Sequence, residues 1–394
     1  MPSLPHFFDH TPDSLAELFG EWDLPRYRAK QVFDWVYAKG IADPTLMTNL
    51  SQRDRNLLAE KMCFLTGEVI RHQRATDGTQ KLLVDWSQSK HTPASNDPTT
   101  SLPVLPADPK SCGDRDPENH TTLTNESEWY AGNRTECVMI PSDQDPSGRP
   151  RRTACISSQV GCPVGCKFCA SGLGGLDGNL TTGQIVQQAW QLAHLPNVGR
   201  LSNIVFMGMG EPMANLKNVL PALQTLAADW GLGLSARKIT VSTVGVPAGI
   251  RKLAQLDLPV TLAISLHAPN DELRKEIIPW ASFVSIQDLL DAGRDYFNAT
   301  GREITLEYIL LSGVNDQPQH AHELAAVARK LRCNVNLIRY NEVTGLPYKR
   351  PADADVRGFR GVLDNAGINV HIRASRGRDI AAACGQLRHE AAGN

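Results

Sequence analysis

Thr153-Ala-Cys-Ile-Ser-Ser-Gln-Val-Gly-Cys162-Pro-Val-Gly-Cys166-Lys-Phe-Cys169 is the stretch on which the reading of this 394-residue chain turns. Its first part, Ala154–Ser157, has the texture of a short buried strand. Its second part spaces three cysteines as C-x3-C-x2-C, with an aromatic residue just before the last. That spacing offers three thiolates to a metal and no fourth. Iron–sulfur cubanes are normally held by four thiolates, so a cubane on three leaves one iron open to a small exchangeable ligand. Zinc is the competing reading, with Cys155 or a distant His as fourth ligand. Zinc sites usually pair two short Cys/His hooks, and no second C-x2-C hook exists in the chain.

Downstream of this stretch the sequence alternates strand and helix patterns. Strands are predicted at Ala154–Ser157, Asn203–Met207, Lys238–Ser242, Val260–Leu266, Glu303–Leu310, Val335–Arg339 and Asn369–Ile372. The helical periodicity falls near 182–195, 214–229, 247–256, 285–297, 316–331 and 353–366. Such alternation predicts a parallel sheet with crossover helices. About six units, without the length for eight, give an α/β fold: a partial (β/α)6 TIM-like barrel over 153–394. Sites in such folds lie at the carboxyl ends of strands. The cysteine loop follows the first strand, Gly208-Met-Gly-Glu-Pro212 the second, Ser242 the third and Ser265-Leu-His267 the fourth, so four motifs fall on one rim.

Upstream, residues 1–65 form a small helical accessory domain. Leu15, Leu18 and Phe19 share one helical face. A helix from Pro25 carries Val32, Phe33, Val36 and Tyr37, and a third begins at Ser51 as N-cap. Residues 66–152 are a β extension and linker, with a turn at Asp77-Gly78. Within it, residues 87–127 hold six prolines, many Ser, Thr, Asn and Asp, and no aromatic residue. Such a segment cannot bury enough apolar surface to offset its ordering entropy and is expected to be disordered, Cys112 in it being a bystander. The whole chain is 41% hydrophobic and 21% charged, with net charge −2 and nine cysteines. It has no apolar run of 18 residues and no signal pattern at its amino terminus. A cytoplasmic protein in a reducing compartment is expected, with its cysteines serving metal and redox chemistry.

Alone, several of these residues have plainer readings. Glu211 would cap a strand-to-helix turn, or accept hydrogen bonds from a ligand ammonium beside glycines that let the backbone approach. Ser242 and His267 would be turn and structural residues. Cys384, among small residues in Arg376-Gly-Arg-Asp-Ile-Ala-Ala-Ala-Cys384-Gly-Gln-Leu, is either a small buried hydrophobe or a thiol on a flexible, accessible loop. Cys155 is equally a strand core residue, and Cys63, Cys137 and Cys333 keep that reading. Arg149/Arg151/Arg152, Lys349/Arg350 and Arg373/Arg376/Arg378 form basic clusters suited to phosphates or simply solvated.

Together, Thr153-Ala-Cys155-Ile-Ser-Ser-Gln-Val-Gly-Cys162, Cys166-Lys-Phe-Cys169, Gly208-Met-Gly-Glu-Pro, Val241-Ser-Thr-Val-Gly, Ser265-Leu-His-Ala-Pro, Val314-Asn-Asp and the Cys384 string resemble the RlmN/Cfr family of radical S-adenosylmethionine (SAM) RNA methyltransferases. The resemblance extends to Pro25-x-Tyr-Arg-Ala-Lys-Gln-Val-Phe-x-Trp35, and it spans nearly everything except 87–127. It implies a 4Fe-4S cluster on Cys162, Cys166 and Cys169, with SAM on the open iron and contacted by Gly210, Glu211, Ser242, Ser265, Leu266, His267 and Asn341. It implies that one SAM methylates Cys384, and that a radical from a second SAM activates that methyl group for addition to an adenine carbon. By the same resemblance Cys155 resolves the protein–RNA adduct through a transient disulfide with Cys384, and Glu136 is the proton acceptor.

The implied activity is methylation of adenine carbon 2 in 23S rRNA, at the peptidyl transferase centre, and in tRNA next to the anticodon. The alternatives are Cfr-like methylation of carbon 8 of the same rRNA base and a non-catalytic RNA-binding relative. The helical 1–65 domain is then an RNA-binding, helix-hairpin-helix-like accessory. The expected partners are 23S rRNA, tRNA and an electron donor such as flavodoxin or ferredoxin, with no membrane and the chain a monomer. Arg339 and Glu342 stand where the family usually carries proline.

Overall fold

The structure, a computed structural model, describes residues 4–87, 133–142, 148 and 150–387. The expected disorder of 87–127, with Cys112, and the basic residue Arg149 lie outside the described residues, Ser87 apart. The amino-terminal unit contains α1 (Pro12–Glu21), α2 (Arg28–Phe33) and α3 (Gln52–Lys61). Thr11 caps α1 with a capping box and Ser51 caps α3, each hydroxyl accepting a backbone N–H. Helix α2 ends early, in a π turn over Asp34–Ala38 that buries Trp35 and Val36.

The sheet strands are β1 (Glu68–Arg74), β2 (Gln80–Asp85), β3 (Arg134–Ser142), β4 (Arg151–Cys155), β7 (Asn203–Phe206), β8 (Ile239–Thr243), β9 (Thr261–Ser265), β10 (Ile304–Leu310), β11 (Cys333–Arg339) and β12 (Val370–Arg373). They form one sheet in the order β1-β2-β3-β4-β7-β8-β9-β10-β11-β12. A separate hairpin, β5 (Gln159–Gly161) with β6 (Leu176–Asn179), brackets the cysteine loop. From β4 to β12 the pairing is parallel. The crossovers are α4 (Thr182–Ala193), α5 (Leu216–Ala227), α6 (Pro247–Ala254), α7 (Asp271–Ile277) with α8 (Ile286–Thr300), α9 (Pro318–Ala328) and α10 (Asp353–Asn365).

Six βα units and a seventh parallel strand make the parallel part of the ten-stranded sheet, which stays open, with β1 and β12 at its edges. All seven predicted strands and six predicted helices are present; α7 and the β5–β6 hairpin are additional. The 66–152 segment is no separate layer, because β1–β3 continue the core sheet in antiparallel pairing on the β4 edge.

The strands read as apolar because helices cover one face and the barrel interior the other. Ile239, Val241, Leu262 and Ile264 are almost fully buried. The amino-terminal unit is fastened to this core through α4. Phe7 and Phe8 are fully buried, Asp9 Oδ1 accepts the Gly183 N–H at 2.5 Å in the first turn of α4, and Trp190 Nε1 donates to Val36 O at 2.8 Å.

Candidate functional site: two cavities joined at Cys384

Beyond β4 the chain runs on beside the loop after β7: Gly208 N–H donates to Ile156 O at 3.1 Å and Ser158 N–H to Met209 O at 2.9 Å. This close approach is what Gly208 and Gly210 are for. A Cβ on Gly208 would lie 2.6 Å from Ser157 Oγ, and one on Gly210, at φ 98°, 2.6 Å from Gln159 Cβ. In the Cβ direction the two glycines are packed against residues 156–159. The Ser157 hydroxyl donates to Glu136 O at 2.6 Å and accepts the Met209 N–H at 2.8 Å, so it ties β3 to the same loop.

At the carboxyl ends of the parallel strands lies a cavity open to solvent, with about 850 Å³ of empty space including the solvent at its mouth. Cys162, Cys166 and Cys169 border it, as do Gly210, Glu211, Ser242, Ser265 and His267. The four motifs predicted to share one rim do share it. Glu211 is held by two backbone donors, Met213 N–H at 2.9 Å and Val244 N–H at 2.7 Å, and burial raises its carboxyl to about 7. Ser242 Oγ and Ser265 Oγ are 3.3 Å apart.

His267 adopts φ 59°, a left-handed conformation that a non-glycine residue keeps only when its surroundings enforce it. Burial lowers its imidazole to about 3, so the ring is neutral; Nδ1 accepts the Ile309 N–H at 3.1 Å and the ring meets Phe168 edge-on. Asn315 enforces the backbone. Its Nδ2 donates to His267 O at 2.8 Å and Ile309 O at 2.6 Å, and its Oδ1 accepts the Leu311 N–H at 2.7 Å. Asn315→Ala strands three buried groups and is expected to lower stability by about 3 kcal/mol at roughly 1 kcal/mol per bond. Urea unfolding of the apoprotein beside wild type measures it.

Leu266 is buried away from the cavity, and its carbonyl accepts from Arg274 Nε at 3.2 Å. Asn341 also lies elsewhere. It borders a second cavity together with Cys155, Arg373, Arg376 and Ser375, while its Nδ2 donates to Cys384 O at 3.2 Å. Arg339 and Glu342, the two residues in place of proline, are absorbed locally. Arg339 pairs with Asp353 at 2.6 Å, and Glu342 accepts the Arg350 N–H at 3.4 Å.

Cys384 borders both cavities, with Met207 and Ile338. It sits in the wall between the three-cysteine chamber and the Cys155 chamber. Its loop is not loose: Ala170 N–H donates to Gly385 O at 2.8 Å and Ser171 Oγ to Leu387 O at 2.6 Å. The flexible, accessible thiol read from the sequence is thus a half-buried one on a fastened loop. Cys155 is buried, and burial pushes its thiol up to about 12 while Arg373 pulls it down. Glu136 borders neither cavity; it is buried beneath the Cys384 loop and paired with Lys81 at 2.7 Å.

Two buried charged residues were missed. Glu307 is 3% exposed; Asn336 Nδ2 at 2.9 Å and Arg373 at 3.5 Å hold its Oε1, while Oε2 has no partner. An acid inside the apolar strand Ile304-Thr-Leu-Glu-Tyr-Ile-Leu310 was the available signal. Arg274 is fully buried, donating to Leu266 O, Val284 O and Val244 O, with Asp271 supplying nearby negative charge. Nothing in its local sequence marks it.

The donor set suits a cluster. Among the described residues no three His, Cys, Asp or Glu side chains converge on the position of one metal ion, so the three thiols do not meet at a point. They surround a chamber instead, and a buried cation faces Cys166, as three thiolates would require. Burial pushes all three thiols above their ordinary range, and coordination would have to ionise them.

Residues 156–325 match the family model of the radical SAM superfamily, and residues 6–64 match that of the ribosomal RNA large subunit methyltransferase N-terminal domain. The chain is 39% identical, over 98% of its length and 91% of the other, to the probable dual-specificity RNA methyltransferase RlmN of Rhodopirellula baltica. It is 37% identical over 97% of its length to the dual-specificity RNA methyltransferase RlmN of Dichelobacter nodosus, covering 93% of that protein. The chain belongs to the RlmN family. A crystal structure of a radical SAM methyltransferase from Sphaerobacter thermophilus is 36% identical, covering 98% of this chain and all of the other with a TM-score of 0.83. As a radical SAM protein of this family it uses a 4Fe-4S cluster and SAM.

Proposed function

We propose that this RlmN-family protein methylates carbon 2 of adenine in 23S rRNA, at the peptidyl transferase centre, and in tRNA beside the anticodon. Cys384 carries the methyl group. The observation that carries this reading is the position of Cys384 between the two chambers. A carrier thiol must be reached from the radical source on one side and by the base on the other. Cys162, Cys166 and Cys169 hold the cluster, which with SAM supplies radical chemistry when bound. Gly210, Glu211, Ser242, Ser265 and His267 bind SAM. Leu266 and Asn341 act on that site through backbone and loop rather than from its wall.

In the second chamber Arg373 and Arg376 offer cations to an RNA segment, whose target base must leave its stack to enter. Cys155 stands there to attack the Cys384 sulfur, and Glu136 accepts a proton. The unit matched over 6–64 is an RNA-binding accessory. A flavodoxin or ferredoxin supplies electrons, and the enzyme works as a monomer in the cytoplasm. The described cysteines are all unpaired, and no described helix is long and apolar enough to cross a membrane.

Mass spectrometry of nucleosides from 23S rRNA and tRNA, taken from a deletion strain and its complemented parent, tests this. Complementation is expected to restore 2-methyladenosine in both RNAs. Restoration of 8-methyladenosine instead would make the protein Cfr-like, and no change in either RNA would leave a non-catalytic relative.

A further inference from the structure

The turn between β1 and β2, predicted only as a hairpin, is bonded to the loop that carries Cys384. Thr76 N–H donates to Asp379 Oδ2 at 2.9 Å, and Gly377 N–H donates to Asp77 Oδ2 at 2.9 Å. Gly377 has φ 65°, and a Cβ there would lie 2.8 Å from Thr79 Cγ2 and 2.9 Å from Ala382 Cβ, so hairpin and loop touch with no room for a side chain. Lys81 makes the third link: its Nζ donates to Ala381 O at 3.2 Å.

The same ammonium lies 2.7 Å from Glu136 Oε1, with the two side chains 3% and 4% exposed. In the sheet Lys81 is opposite Val138, and Val138 is opposite Cys155. Glu136 lies two residues before Val138, so Lys81, Glu136, Val138 and Cys155 share one face. Val138 and Cys155 pack there with Ala382 and Leu387 of the Cys384 loop. A buried lysine is costly unless its charge is paired, and this one divides its donors between a carboxylate and the loop of the carrier thiol.

We propose that Lys81 is a positioning residue for the methyl transfer, fixing the Glu136 carboxylate relative to the loop that presents Cys384. This rests on the reading of Cys384 as methyl carrier and Glu136 as base. In the proton step a substrate C–H bond breaks, an O–H bond forms on Glu136, and the electron pair stays on the substrate. Lys81 neither gives nor takes a proton or an electron in that step. Its work is geometric: without it the carboxylate loses its ion pair with the ammonium and the loop loses a tie to the hairpin.

Cluster-loaded enzyme with its RNA, in single turnover, tests the proposal. Lys81→Met protein is expected to match wild type in iron content, SAM cleavage and S-methylation of Cys384. Its covalent Cys384–RNA adduct should build up and convert about ten- to a hundredfold more slowly, the range for outer-shell partners of a reacting group. Lys81→Arg should restore most of the rate. Adduct conversion at the wild-type rate, or an equal loss at every step together with a lower melting temperature, would overturn it.

Should Lys81→Met fail to fold, the double variant Lys81→Met/Glu136→Gln removes both buried charges and carries the test against Glu136→Gln alone. Equal conversion rates are expected, and a further slowing in the double variant would overturn the link through Glu136. Wild-type protein showing neither S-methylcysteine nor adduct would overturn the methyltransferase reading itself, and the proposal with it.

Discussion

Cys166→Ala protein, reconstituted anaerobically with iron and sulfide, is expected to retain almost no cluster and to cleave no SAM, while wild type binds about four irons per chain as one cubane. Cys162, Cys166 and Cys169 are the three thiols of the C-x3-C-x2-C loop that border the chamber. Removing one leaves two donors, too few to hold a cubane. Cys162→Ala and Cys169→Ala should lose the cluster equally. Cys63→Ala and Cys333→Ala, remote from the chamber, should keep cluster and cleavage. Stoichiometric zinc without iron after careful reconstitution would overturn the assignment.

The strand–helix alternation after Thr153 was legible because buried parallel strands are short apolar runs and their crossovers are amphipathic, two periods that seldom mimic each other. What escaped was the continuity of the sheet. β1–β3 look like a separate extension, because antiparallel joining to β4 is set by registers such as Val138 opposite Cys155, on strands separated in sequence by polar residues. Helix α7 escaped because seven residues, Asp271-Glu-Leu-Arg-Lys-Glu-Ile277, carry too few apolar positions to show a period.

The site divides in the same way. Residues that carry their own chemistry, the three cysteines with Glu211, Ser242 and His267, announced themselves. Residues that hold others in place did not. Arg274 looks like one more charge on a polar helix until burial is known, and Asn315 looks like a turn residue until its three bonds around His267 are counted. Lys81 is the sharpest case, because its partners Glu136 and Ala381 lie 55 and 300 residues away in sequence. Gly208 and Gly210 border the cavity and also press against residues 156–159, and the second role is invisible in the sequence because it depends on chain segments about 50 residues apart.

Cys155→Ala protein is expected to purify with RNA covalently bound to Cys384, whereas Cys384→Ala protein should carry neither S-methylcysteine nor RNA. The two thiols face the same chamber, yet only Cys384 also borders the three-cysteine chamber. Only Cys384 is therefore placed to take a methyl group on that side and deliver it on the other. Release then requires Cys155 to attack the Cys384 sulfur. The sulfur–sulfur bond forms, the sulfur–carbon bond breaks with its electron pair on carbon, and a proton completes the methyl group. Cys155→Ala lacks that nucleophile and should stall with the bond intact. Because burial holds the Cys155 thiol up near 12, its thiolate fraction grows with pH, so resolution in wild type should quicken as pH rises. If both thiols were only core packing, each alanine variant would show a modest loss of stability and neither would carry RNA. Digestion and mass spectrometry of the two purified variants read the difference directly. RNA-free Cys155→Ala protein, from cells in which wild type is active, would refute the division of roles.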